Sequence, residues 1–185
     1  MSGMSARKKS SSSGRKNRTG QNSAYKNGSP AASRPYMPGY GLPTHDKGML
    51  PWKYANDRLS RSRNYFLATT RPDGSPHVMP IWGIWVDSIF YFSTGRESRK
   101  ARNLAANAHC VVCTDRAEAA AILEGVSEQV SDTALLKKLD APYHKKYKPW
   151  HLDPKMGPVF AVQPRVVFGL DEKKTLNSAT RWKFL

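Results

Sequence analysis

Acidic residues are missing from the first quarter of this chain. Residues 1–45 carry eight Lys or Arg and no Asp or Glu, in a protein of 185 residues with formal net charge +16. Large aliphatic side chains are almost absent there as well, before Leu42, and Ser, Gly and Asn dominate. Such a segment cannot bury enough apolar surface to offset its conformational entropy. Residues 1–45 are therefore expected to be a disordered basic tail, with Pro35, Pro38 and Pro43 marking an extended lead-in to a domain spanning 46–185. No apolar run follows the charges, which argues against a secretory signal, and no stretch approaches the length of a transmembrane helix. The expected compartment is the cytoplasm. Met4, Met37 and Met49 all precede the first globular pattern, so a start further downstream is an equally plain reading of the tail. As a functional arm it offers weak, nonspecific contact with anions through counterion release.

Cysteine is scarce: Cys110 and Cys113 are the only two. Their C-x-x-C spacing looks like half a zinc or redox site. The segment around them, His109-Cys110-Val111-Val112-Cys113-Thr114, is nevertheless apolar and β-branched, and on a strand positions i and i+3 face opposite sides about 10 Å apart. That geometry permits neither a disulfide nor shared chelation, and His45, His77, His144 and His151 show no regular ligand spacing. Buried structural thiols and no metal are expected. Catalytic motifs of the familiar kinds are missing too: no G-x-G-x-x-G after a strand, no Walker A, no G-x-S-x-G and no H-E-x-x-H. Carboxylates are sparse; Asp73 and Asp87 belong to turns, and Glu124 and Glu128 share one strand face without an evident partner. An enzyme built this way needs a cofactor to bring the chemistry.

What is present is a run of short strands with few helices. Pro51 to Arg61 reads as a helix with Trp52, Ala55 and Leu59 on one side. Tyr65 to Thr70, then His77 to Trp85, then Ile89 to Phe92 form an antiparallel meander, turned at Asp73-Gly74 and at Val86-Asp87-Ser88. Pro80 and Gly83 sit badly in a regular ladder and imply a bulge, an edge, or a face where backbone turns away from the sheet. Trp82 and Trp85 are either core residues or walls of a flat ligand site. Cys110 to Thr114, Ala119 to Val130, Val159 to Val162, Arg165 to Leu170 and Ser178 to Phe184 read as further strands. Ser131 or Asp132 caps a helix with the stripe Leu136, Leu139 and Tyr143, disturbed at Pro142, and Lys145, Lys146 and Lys148 form a solvated basic face. Six or seven strands with two or three helices make a mainly β fold, a small antiparallel barrel capped by helices.

One stretch carries chemistry. Ser93-Thr94-Gly95-Arg96-Glu97-Ser98-Arg99-Lys100-Ala101-Arg102-Asn103-Leu104 places hydroxyls, a glycine and four cations where a buried strand hands over to an amphipathic helix. Crowding cations at the positive end of a helix dipole is unfavourable unless an anion joins them. A phosphate resolves that conflict; the plainer alternative is a solvated basic helix start.

Phe92-Ser93-Thr94, spaced four residues from Ser98-Arg99-Lys100, preceded by the meander and followed by Leu123-Glu124-Gly125-Val126-Ser127-Glu128, resembles the pyridoxamine 5'-phosphate oxidase-like FMN-binding split-barrel family. The likeness runs from about Leu50 to the C-terminus, with Arg181-Trp182 in support. It implies a homodimer of split β-barrels holding two flavin-type cofactors between the subunits. Thr94, Ser98, Arg99 and Lys100 would then hold the cofactor phosphate, with Ser93 beside them. The backbone of Val78, Met79, Pro80 and Ile81 would run along the isoalloxazine edge, and Arg181 and Trp182 would reach ring or substrate from the partner chain. Val78 and Met79 stand where true pyridoxamine-phosphate oxidases carry a basic residue, and the C-terminal stretch is short, so vitamin B6 oxidation is not expected. The run Lys-Ala-Arg-Asn-Leu, from Lys100 to Leu104, is similar to a subgroup that uses the deazaflavin coenzyme F420 in place of FMN. The implied activity is hydride transfer to or from a small conjugated substrate, in a pocket shaped by Trp82, Trp85 and Trp182, with no catalytic acid or base identified. Two other readings stay open: a non-catalytic flavin- or haem-binding barrel, and an anion- or nucleic-acid-binding protein acting through its tail.

Overall fold

A computed structural model describes residues 29–184. Nine strands and three α-helices follow one another in the order β1 (Ala31–Ser33), α1 (Trp52–Arg61), β2 (Tyr65–Thr70), β3 (Pro76–Ile81), β4 (Ile84–Val86), β5 (Ile89–Ser93), α2 (Arg99–Ala106), β6 (His109–Thr114), β7 (Ala121–Gln129), α3 (Thr133–Tyr147), β8 (Val159–Gly169) and β9 (Thr180–Lys183). The strands pair antiparallel along the path β1-β9-β8-β7-β6-β2-β3. β8 divides the sheet: Val159 to Val162 pair with β5, whereas Val166 to Gly169 pair with β9, both on the side away from β7. The sheet thus splits instead of closing, and β3 is left as a terminal strand.

Local chemistry explains most of these elements. The β2–β3 turn is held by Arg71 N–H to Ser75 O, Gly74 N–H to Arg71 O and Ser75 N–H to Asp73 Oδ1, all at 2.9 Å. Gly74 there takes a φ of 83°, which glycine adopts freely. Asp87 and Ser88, at φ 51° and 61°, form the two-residue turn between β4 and β5. The expected long strand from His77 to Trp85 is broken after Ile81. Gly83 lies so close to Phe90 that a Cβ there would come within 2.2 Å of its ring, and the Gly83 N–H donates to the Tyr147 hydroxyl at 2.9 Å. A side chain from α3 has replaced the ladder.

The barrel interior holds the main core, with Leu59, Tyr65, Leu67, Phe90, Phe92, Val112, Leu123, Val162, Val167 and Trp182 all essentially inaccessible. A second cluster, including Ile84, Tyr91, Leu139, Tyr143, Tyr147 and Leu152, seats α3. That helix runs through Pro142 to Tyr147, contrary to the expected disturbance. Burial of the i, i+4, i+8 stripe Leu139, Tyr143 and Tyr147 outweighs the roughly 3 kcal/mol cost of an interior proline. Likewise the two strands expected between Val159 and Leu170 are one, because Pro164 falls where the β7–β8 register shifts at Glu124/Gly125. Cys110 is buried and Cys113 half-buried on opposite faces of β6, both thiols free, and burial pushes the Cys110 thiol up to about 12. Among the described residues no cluster of metal-ligating side chains occurs, and no helix is long and apolar enough to cross a membrane.

The expected unstructured tail, 1–45, overlaps ordered chain. Ala31–Ser33 adds an edge strand to β9, and Arg34 donates to the carbonyls of Asn177 (2.7 Å), Ala179 (3.0 Å), Lys47 (2.9 Å) and His45 (3.1 Å). A single guanidinium, with its five donors, fastens the lead-in where apolar burial is lacking. Residues 1–28 lie outside the described residues.

Candidate functional site

β5 ends at Ser93, and Thr94, Gly95, Arg96 and Glu97 carry the chain to Ser98, which caps α2. The Ser98 Oγ accepts from the Ala101 N–H at 3.2 Å and lies 3.1 Å from the Thr94 Oγ1. Thr94 is itself pinned, its N–H donating to Pro158 O at 3.2 Å. Arg102 N–H bonds Ser98 O, so the N–H groups of Arg99 and Lys100 remain outside the helix's own ladder. Hydroxyls, free amides and the positive end of a dipole thus converge within one turn.

The cations divide their work. Arg96 and Arg99 are exposed, and Arg102 folds back on Glu97 O at 2.8 Å. Lys100 is half-buried, and burial lowers its pKa below the usual lysine value. No carboxylate pairs with it among the described residues. An ammonium held partly out of water with no counter-charge is an electrostatic cost that an incoming anion relieves. His77 on β3 senses that positive field: its pKa is lowered first by burial, then by Arg71, Lys100 and Arg99, which favours the neutral ring. Its ring lies 3.4 Å from Thr69 Oγ1, which accepts from Asn103 Nδ2 at 2.9 Å.

Lys100, Thr94 and Ser93 line one part of an open cleft of about 350 Å³; Pro80, Ile81, Trp82, Asn64 and Tyr143 line the rest. Of the predicted cofactor residues, Pro80, Ile81, Ser93, Thr94 and Lys100 therefore meet in one place, with Ser98 one hydrogen bond behind and Arg99 on the exposed flank. Val78 and Met79 lie on β3 with side chains 54% and 42% exposed and outside the cleft lining. Two predicted residues lie away from this chain's own cleft. Trp182 is 1% exposed, packed edge-on against Trp52 at 5.5 Å inside the main core, and so cannot present its ring to a cofactor. Arg181 points to the opposite face of β9 and donates to Ser33 Oγ at 3.1 Å. Trp85 is core as well, its Nε1 donating to Asn56 Oδ1 at 2.9 Å, which leaves Trp82 as the one of the three expected pocket tryptophans that reaches the cleft.

Four contributors escaped the sequence reading. Tyr143 joins the cleft only because α3 folds across the β3–β4 break, and Asn64 joins it from the turn just before β2. His77 was legible as the strand neighbour of Thr69 and no more. Gly157, in the loop after α3, is the fourth: a Cβ there would stand 2.1 Å from Thr94 O, so the loop rests directly on the backbone that leads into α2. The expectation of a solvated lysine face also fails at Lys146, which turns inward to donate to Tyr65 Oη (2.7 Å) and Gly83 O (2.9 Å).

Comparison with known proteins places this geometry in context. A family model described as pyridoxamine 5'-phosphate oxidase matches residues 52–172. Among solved structures, a conserved hypothetical protein from Mycobacterium tuberculosis superposes with a TM-score of 0.59 at 24% identity, over 68% of this chain and 87% of that one. An F420 reductase gives a TM-score of 0.51 at 27% identity, over 64% and 98%. A FAD-binding protein from Mesorhizobium loti gives 0.51 at 18% identity, over 71% and 94%. No curated protein sequence matches.

Proposed function

The chain belongs to the pyridoxamine 5'-phosphate oxidase-like split-barrel family, and from that premise we propose that it is a homodimeric, cytoplasmic oxidoreductase that binds FMN through the Thr94–Lys100 turn. The observation that carries the reading is Lys100, half-buried without a carboxylate partner beside two hydroxyls and the open amides of α2. That donor set suits a phosphate dianion: an ammonium point charge, an exposed guanidinium from Arg99, and neutral O–H and N–H donors. Coenzyme F420 is the second reading, supported by the 27% identical F420 reductase.

When bound, either ring supplies two-electron hydride transfer to or from a small conjugated substrate. The protein's part is positional. β3 is the terminal strand, so about half of its backbone N–H and C=O groups point away from β2 and are free to meet ring heteroatoms. Pro80 removes one donor from that edge without harming a central ladder. Ser93 and Tyr143 line the cleft together with Ile81 and Trp82.

The dimer reading rests on the outer face of the sheet. Phe66 and Val78, 44% and 54% exposed, continue by register into Ala68, Val111, Cys113 and Ile122. A largely apolar sheet face of this kind, bordered by Glu124 opposite Val111, suits an interface, and a second copy of the chain would cover it. Sedimentation of Phe66→Asp as a monomer, against a dimeric parent, is the expected result. Equilibrium binding of FMN and of F420 to the parent and to Lys100→Ala tests the site, with a loss of about 1.5–3 kcal/mol expected for a charge-assisted contact. Unfolding stability without cofactor should not fall in the same variant, because the removed ammonium is desolvated and unpaired. Equal affinity in both proteins overturns the assignment.

A further inference from the structure

Residues 35–43, Pro-Tyr-Met-Pro-Gly-Tyr-Gly-Leu-Pro, form a loop without a charged side chain in a protein of net charge +16. Arg34 closes its neck: the guanidinium donates to His45 O at 3.1 Å and Lys47 O at 2.9 Å on the far side of the loop, while gripping Asn177 O and Ala179 O on the barrel. Gly39 and Gly41 take φ of 84° and 64°, and Pro35, Pro38 and Pro43 restrict the backbone further, so the loop has a defined shape. That shape turns its phenol rings outward. Tyr36 is 87% and Tyr40 61% exposed, with Met37 and Leu42 half-buried beside them. Holding these rings in water on a strapped backbone is unfavourable in proportion to the apolar area left open, and such a loop marks a contact surface.

The charge lies next door. Of the eight Lys or Arg in residues 1–45, all except Arg34 precede residue 29, with no Asp or Glu among them. The stretch from Ser29 to Arg34, which includes β1, separates those cations from the loop by at most about 20 Å of extended chain. Cations and aromatic side chains are therefore neighbours yet segregated, since Arg34 spends its donors on carbonyls and the loop carries no charge. A partner with anions in one layer and apolar matter directly beneath matches that segregation. A single strand of nucleic acid matches it less well, because its phosphates and bases alternate and are met by cations interleaved with aromatic rings.

We propose that loop 35–43 and the basic segment before it dock this protein on the surface of an anionic lipid bilayer. The cations are drawn to headgroup phosphates by the negative surface potential. Tyr36 and Tyr40, each with an apolar ring and a polar hydroxyl, enter the boundary between headgroups and acyl chains, with Met37 and Leu42 behind them. The two signals reinforce each other, as peripheral attachment requires. The contact needs no membrane-spanning helix and makes no use of the cleft or of a cofactor.

The test is co-sedimentation of the full chain with vesicles of equal parts phosphatidylglycerol and phosphatidylcholine, and with vesicles of phosphatidylcholine alone, at about 0.1 M and about 0.5 M KCl. Tyr36→Ser/Tyr40→Ser and Lys8→Gln/Lys9→Gln/Arg15→Gln/Lys16→Gln accompany the parent; the two tyrosines lie outside the core, so the first variant keeps the fold. The parent should bind anionic vesicles at least about tenfold more tightly than neutral ones, and the tyrosine variant should bind them about tenfold more weakly than the parent at both salt concentrations. The glutamine variant should lose about tenfold at the lower salt and converge on the parent at the higher, because only the charge contribution is screened. No preference of the parent for anionic vesicles, or equal binding by parent and tyrosine variant, overturns the proposal. Binding of single-stranded oligothymidylate that falls in the tyrosine variant while vesicle binding does not assigns the surface to nucleic acid instead. A tyrosine variant that sediments without vesicles as a smaller species than the parent makes the loop a contact between copies of the chain, which likewise overturns it.

Discussion

Gly157→Ala is expected to damage the proposed phosphate site from behind. The added Cβ would stand 2.1 Å from Thr94 O, 2.9 Å from Thr94 C and 3.2 Å from Gly95 Cα. Comfortable carbon contacts begin near 3.5 Å, so the two segments must part by about 1 Å. Backbone lies on both sides of the clash, and no rotamer change relieves it. Thr94 N–H is bonded to Pro158 O at 3.2 Å and Thr94 Oγ1 to Ser98 at 3.1 Å, so the displacement is transmitted to the α2 cap. Overpacking of this kind costs about 1–3 kcal/mol, which for a domain of this size lowers Tm by about 2–4 °C per kcal/mol. Misplacing Thr94 by that distance should also weaken FMN or F420 binding by about tenfold or more. Gly95→Ala is the control, because its Cβ would meet nothing within 4 Å; its unfolding free energy should stay within about 0.5 kcal/mol of the parent. Denaturant unfolding and equilibrium dialysis on the three proteins decide the matter. A Gly157→Ala protein as stable as Gly95→Ala, with the same cofactor affinity, would refute the claim that this loop holds the site in place.

Two further outcomes follow from the same packing. Burial, and next the charge of Arg63, push Lys146 down to about 8, whereas an unfolded lysine keeps its proton to about 10.4. Between those values the unfolded chain binds more protons, so this residue makes stability rise with pH through that window. Lys146→Met should lack the rise, read as the difference between the two proteins' unfolding free energies from pH 7 to 10. Its partners Tyr65 Oη and Gly83 O keep other hydrogen bonds, to Leu59 O at 2.6 Å and from Tyr147 at 2.8 Å, so the variant should fold. Arg34→Ala removes charge-assisted bonds to four carbonyls and should cost about 1.5–3 kcal/mol; limited proteolysis should then cut within residues 34–49, and resistance there would contradict the clasp.

Periodicity and punctuation made the local elements legible. Asp-Gly between apolar runs marked the β2–β3 hairpin, and the alternation in Ala121–Gln129 set Glu124 and Glu128 on one strand face, which is the exposed one. The gathering of hydroxyls and cations from Ser93 to Lys100 was legible because all of them are contributed by one contiguous turn. Positions whose role depends on distant chain were not legible. The alternation of β9 buries Trp182 and exposes Arg181, but a reader of the sequence cannot tell which face looks inward until β8 and β1 flank it.

The sequence by itself determined the short-range content: strands, turns, the capped helix start, and the unpaired cations gathered there. Only tertiary structure decided that Tyr147 would occupy the break between β3 and β4 at Gly83, that Lys146 would donate to the same residue, and that Gly157 would rest on Thr94. The physical reason is separation along the chain. Residues within one turn or hairpin are brought together by backbone geometry alone, whereas Thr94 and Gly157 meet only after β8 has paired with β5 and α3 has buried its aromatic stripe.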